Sequence, residues 1–159
     1  MNKQQPKFIC SLITVTDMKV SRNFYENVLE QKVVTDYERN VSFGGFAIHL
    51  RTHYKTLIDD KEIIDGKNNL ELYFEYDDLE QIVEKLKAEK IEFVHEIREQ
   101  PWKQRVVRFY DPDKNIIEIG ESMECLVFRL HQENNSSEEI SKITGLDIVF
   151  IESVLRDTK

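Results

Sequence analysis

The sequence predicts an α+β fold in which one strand–helix–strand–strand–strand unit is used twice and followed by a helical tail. Three observations predict it. Short runs alternate apolar and polar residues in the period of a half-buried strand, as in "LELYFEY" (70–76). Two runs opened by an aspartate space their apolar residues as a helix does, "MKVSRNFYENVLEQ" after Asp17 and "LEQIVEKLKAEK" after Asp78. And the order of elements repeats: Val15-Thr16-Asp17-Met18 falls on Tyr76-Asp77-Asp78-Leu79 at an offset of 61, as Val33 does on Val94. A period of that kind changes the expected fold. Chance alignment of two strand-then-helix segments is the alternative.

In the first half, "FICSLITV" (8–15) is rich in β-formers, and Asp17 caps an amphipathic helix with Val20, Phe24, Tyr25, Val28 and Leu29 as its apolar face. "KVVTDY" and "VSFGGFAIHL" read as strands, with Gly44-Gly45 marking a turn or bulge. The polar segment 51–69 reads as a linker. In the second half the apolar residues at 79, 82, 83 and 86 line a helix, "IEFVHEI" is a strand, and "RVVRFYDPDKNIIEIG" (105–120) is a hairpin. Beyond Gly120, "ESMECLVFRLHQ" is helical, "SSEE" (136–139) opens a second helix as a capping box, Gly145 breaks it, and "DIVFIESVL" forms a third. The expected organisation is one domain over 1–121, with modules at about 8–55 and 70–121, and a helical tail over 122–159.

Composition narrows the function. Hydrophobic residues at 40% and charged residues at 33% are those of an ordinary soluble globular protein. A net charge of −8 argues against nucleic acid or an anionic membrane as partner. No apolar run approaches the ~18 residues that span a bilayer. Cys10 and Cys125 make no disulfide framework, and "MNKQQPKFICSL" is no signal peptide, so the cytoplasm is the expected compartment.

Alternation sorts the charges by face. Cys10 shares a face with Leu12 and Thr14, His49 with Ala47 and Arg51, Glu71 with Tyr73 and Glu75, and Arg108 with Val106 and Tyr110. Glu118 shares one with Ile116 and Gly120, roughly opposite Arg108 across the hairpin. These faces either line a polar pocket or form the solvent side of open sheets, where a surface ion pair is worth ~0–1 kcal/mol. His53, His95 and His131 are expected on loops or opposite faces, in solvent. Trp102, in "EQPWKQR" before the hairpin, is either a rim residue over a ligand or an ordinary packing aromatic.

The stretches "VTDMKVSRNFYENVLEQKVV", "FAIHL", "FEYDDLEQIVEKL" and above all "YDPDKNIIEI" resemble the vicinal-oxygen-chelate superfamily of glyoxalases, bleomycin-resistance proteins and extradiol dioxygenases, over about residues 8–121. The resemblance implies two βαβββ modules forming a curved, cup-like mixed sheet, often paired as a homodimer. It implies one metal ligand on each of four strands: Cys10, seven residues before Asp17; His49; Glu71, seven before Asp78; and Glu118. The first position commonly holds histidine, glutamine or glutamate, and here it is Cys10. A glycine usual after the first helix is replaced by Glu30.

The set suits a divalent zinc, nickel, manganese or iron ion acting as a Lewis acid. Glu71 or Glu118 would be the catalytic base, with Arg108, Trp102 and Tyr73 binding a small oxygenated substrate. The expected function is a glyoxalase-type lyase or isomerase. The alternative is a metal-free binding protein of the bleomycin-resistance type. The tail superficially resembles a helix-turn-helix, but its acidic balance favours a helical hairpin that packs on the cup or on a dimer partner.

Overall fold

A computed structural model describes residues 7–156. Compactness divides the chain into two units: one runs up to Lys67 and includes Asp111–Lys114, and the other comprises Asn68–Tyr110 and the chain from Asn115 on.

The first unit holds β1 (Ser11–Val15), α1 (Met18–Arg22), β2 (Thr35–Asp36), β3 (Asn40–Ser42), β4 (Phe46–Leu50) and α2 (Arg51–Leu57). Its four strands form one mixed sheet in the order β1-β4-β3-β2, with β1 parallel to β4 and the other pairs antiparallel. The Asp17 carboxylate accepts from Lys19 N and Val20 N, which satisfies first-turn donors and starts α1 where the sequence places it. After Arg22 the helix widens into a π-helical turn, Asn23–Val28. That shift buries Phe24, Tyr25, Val28 and Leu29 but leaves Val20 half exposed, so Val20 is not part of the apolar face expected of it. Glu30 follows at φ 54°, the left-handed geometry that suits a glycine. The segment expected as linker begins with a helix, α2, which starts directly after β4 and has no buried residue.

The turn Asp111–Lys114, which links the hairpin strands, belongs to this first unit. The Tyr25 hydroxyl donates to Asp111 Oδ2 at 2.8 Å, and burial first of all raises the pKa of that phenol well above its ordinary value. Thr16 N donates to Asp113 Oδ1 at 2.8 Å, the Thr16 hydroxyl donates to the same oxygen, and Ser21 Oγ donates to Oδ2 at 3.3 Å. The "DPD" carboxylates therefore anchor the turn to the start of α1 as well as shaping it.

The second unit repeats the arrangement with β5 (Glu71–Glu75), α3 (Leu79–Ala88), β6 (Phe93–Glu99), β7 (Arg105–Tyr110) and β8 (Ile116–Gly120). The sheet order is β5-β8-β7-β6, again with a parallel first pair. Asp78 caps α3 through Gln81 N, as Asp17 caps α1. Leu79, Ile82, Val83 and Leu86 are buried, as the spacing predicts, as are Val107, Phe109, Ile117 and Ile119 on the aliphatic side of the sheet.

The tail is α4 (Met123–Gln132), α5 (Ser137–Thr144) and α6 (Ile148–Arg156). Ser136 and Glu139 form the capping box, and Gly145 ends α5 at φ 78°. Leu126, Val127, Leu130, Ile140, Ile151 and Val154 give these helices a hydrophobic cluster of their own. Among the described residues no helix is long and apolar enough to cross a membrane.

Candidate functional site

The hairpin register pairs Arg108 with Glu118, and the parallel register sets Tyr73 beside Glu118. Period-2 alternation then brings Glu71, Tyr73, Arg108 and Glu118 to one face of the second sheet. Arg108 is its centre: Nε donates to Glu71 Oε2 at 2.8 Å, and Nη2 pairs with Glu118 Oε2. His95 joins them. It is the register partner of Arg108 on β6, and its Nε2 lies 3.3 Å from Arg108 Nη1. Its Nδ1 faces the Glu96 carbonyl at 2.7 Å, which places the ring proton on Nδ1 and leaves Nε2 to accept from the guanidinium.

Glu118 is only 5% exposed, so at this position the face is not a solvent face. Burial raises its pKa; Arg108 draws it down and the charge of Glu71 pushes it up again, with a raised value as the net result. Tyr73 stays a neutral phenol, its pKa pushed up to about 12 chiefly by desolvation. Its hydroxyl donates to Glu75 at 3.0 Å and accepts from Gln104 Nε2 at 2.9 Å. Gln104 is buried, donates also to the Glu121 carbonyl, and accepts from Trp102 Nε1 at 3.1 Å. Trp102 itself is 40% exposed.

Gly120 lets this relay close. A Cβ there would stand 2.7 Å from Gln104 Nε2 and 3.2 Å from Tyr73 Cε2. Gly120→Ala is expected to destabilise the fold by about 1–3 kcal/mol through overpacking. The cost should shrink in a Gln104→Ala background, measured as a double-mutant cycle in denaturant. Equal costs in both backgrounds would show that the contact is not the cause.

In the first unit, His49 is buried on β4, paired in register with Thr14 on β1 and Asn40 on β3. Asn40 Nδ2 lies 3.0 Å from His49 Nδ1, and His53 Nδ1 lies 2.8 Å from His49 Nε2. Desolvation, followed by the nearby His53, lowers the His49 pKa and keeps the ring neutral. Cys10 is partly buried, just before β1.

Two expectations are corrected. His53 is not a solvated loop residue, because α2 brings it onto His49; the i,i+4 spacing in "HLRTH" was the available signal. His95 is not on the opposite face, because irregularities in the β6–β7 register set it across from Arg108. Gln104 and Asn40 carried no signal beyond their polarity. Among the described residues no group of three or more His, Cys, Asp or Glu is gathered to hold a metal ion.

The sequence matches the family model of the glyoxalase-like domain over residues 8–124. The chain belongs to that family. Among solved structures this glyoxalase-like chain is similar to a protein of unknown function from Agrobacterium tumefaciens, at 35% identity and a TM-score of 0.68, over 77% of this chain and 98% of that one. A glyoxalase/bleomycin resistance protein/dioxygenase from Nocardioides shares the fold at 17% identity and a TM-score of 0.59, over 74% of this chain and 84% of that one. So does a lactoylglutathione lyase from Agrobacterium tumefaciens, at 16% identity and 0.56, over 75% and 96%. No curated protein matches the sequence significantly.

Proposed function

We propose that this glyoxalase-like protein is a divalent-metal-dependent enzyme of the lyase or isomerase kind, acting on a small oxygenated substrate that carries negative charge. The observation that carries this reading is Glu118, a buried carboxylate of raised pKa paired with Arg108, which also holds Glu71. A carboxylate whose pKa moves up toward the working pH is a better base for a proton on a carbon beside a carbonyl. Arg108 can turn from Glu71 to an incoming carboxylate or enediolate oxygen, which its planar fork suits. Tyr73 offers a neutral hydroxyl steadied by Gln104, and Trp102 an apolar surface beside it.

The proposed metal donors are Glu71 and Glu118 in the second module and His49 with Cys10 in the first. Their chemistry fits a divalent ion. Carboxylate oxygens and the neutral, buried His49 imidazole are donor types that such an ion takes. When bound, such an ion supplies Lewis-acid polarisation of substrate oxygens. A cytoplasmic homodimer is the proposed setting, with light scattering as the measure of assembly.

One observation favours a second reading, a metal-free binding protein: Arg108 already gives both Glu71 and Glu118 a cation. Elemental analysis separates the two, on protein purified without chelator or metal resin, wild type beside Glu118→Ala. Near-stoichiometric metal that is lost in the variant is the expected result. No metal in either, and no uptake of added zinc, nickel, manganese or iron, would leave the binding protein.

A further inference from the structure

β4 passes the chain straight into α2, and the Leu50 N–H to Arg39 carbonyl bond of 2.8 Å pins that junction. The two imidazoles that meet across it are close to parallel, with ring centroids 5.0 Å apart and planes 25° from each other. His49 Nε2 and His53 Nδ1 face each other at 2.8 Å. At that distance one ring donates an N–H to the other's lone pair, and a metal ion that displaced this proton would find two nitrogens already brought together.

We propose that His53 is a metal ligand, binding a divalent first-row transition ion together with His49, so that the first module contributes an imidazole pair. The proposal rests on the metal-dependent reading above and deepens it.

Spacing supports it. Two nitrogens each about 2.1 Å from one ion stand about 3 Å apart at the right angle of octahedral coordination and about 3.4 Å apart at the tetrahedral angle. The observed 2.8 Å lies close to both, so a modest ring rotation would bring the pair to an ion-binding span. The outer partner supports it as well. A metal-bound imidazole commonly donates its other N–H to an acceptor that holds the ring's orientation. Asn40 already sits 3.0 Å from His49 Nδ1, and turning its amide presents Oδ1. The His49 proton then moves from Nε2 to Nδ1 and none is lost to solvent. His53 borders a cleft of about 370 Å³ shared with Arg39, Leu50, Thr52 and Thr56, which gives water access to its side of the pair.

The test is a Ni²⁺ titration by calorimetry on the metal-stripped full chain. Wild type is compared with His53→Phe, which keeps the ring stack without the nitrogen, and with His49→Ala and Glu118→Ala. Far-UV circular dichroism confirms that each variant is folded. The visible spectrum of the Co²⁺-loaded protein serves as a second readout. The expected result is at least a tenfold loss of Ni²⁺ affinity in His53→Phe, with a changed Co²⁺ spectrum. Wild-type affinity in His53→Phe with loss in Glu118→Ala overturns the role of His53 and leaves the metal-dependent reading standing. Loss in His53→Phe with wild-type affinity in Glu118→Ala sustains the imidazole pair and removes Glu118 from the ligand set. No Ni²⁺ or Co²⁺ bound by wild type overturns both.

Discussion

Glu121→Ala should lower the unfolding free energy by about 3–5 kcal/mol, the loss expected when one member of a buried ion pair is removed. Glu121 is fully buried at the end of β8. Its Oε1 accepts from Arg105 N at 2.8 Å and from Arg129 Nη2 at 2.6 Å, and its Oε2 accepts from Arg129 Nε at 3.2 Å. Arg129 also donates to the Lys103 carbonyl at 2.6 Å, so this one guanidinium joins α4 to the β6–β7 turn and the end of the sheet. Removing Glu121 leaves Arg129 in place with its main counter-charge gone and the Arg105 N–H without its acceptor. Glu121→Gln should cost less, because an amide oxygen still accepts from both. Urea denaturation of the two variants decides the matter, and a loss under about 1 kcal/mol for Glu121→Ala would mean that the network is marginal to stability.

On the proposed function, Glu118→Gln should lower turnover of the oxygenated substrate by about 10²–10⁴-fold, the range for loss of a general base. Because burial holds the Glu118 pKa above its ordinary 4.5, the acid limb of the wild-type rate profile should lie above that of an exposed glutamate. Its neighbours move that limb in opposite directions. Arg108 lowers the pKa and Glu71 raises it, so Arg108→Gln should shift the limb to higher pH and Glu71→Gln to lower pH. Carbon NMR titration of the Glu118 carboxyl reads the same shifts with no substrate present. Stability follows with a definite sign. A pKa raised in the folded state gives a contribution that is present below 4.5 and lost as pH rises through the folded value. Shifts in the same direction in both variants would mean that Arg108 and Glu71 do not act on Glu118 by charge.

Several elements were legible because local chemistry and tertiary packing agree. Asp17 and Asp78 cap their helices where a carboxylate ahead of helical spacing says they should. Leu79, Ile82, Val83 and Leu86 are buried because a helix against a sheet hides one stripe. Arg108 meets Glu118 because the length of the turn sets the register of a hairpin, and both are counted from the sequence. The π-helical turn after Arg22 was not legible. Phe24, Tyr25 and Val28 are compatible with an ordinary helix, and in the fold Tyr25 packs against Phe43 and Phe46, contacts that no local spacing announces. Nor was α2, which buries nothing and so carries no apolar stripe to read.

By itself, then, the sequence determined the repeated module, the tail helices and the side of the sheet to which Glu71, Tyr73, Arg108 and Glu118 belong, because caps and alternation act over a few residues. Only the tertiary structure decided which groups touch. It set His53 on His49, His95 on Arg108, Gln104 on Tyr73, and the Asp111 and Asp113 carboxylates on Tyr25 and Thr16. Most of those pairs join different strands, helices and turns, and a contact of that kind depends on register and packing that no local run of residues encodes.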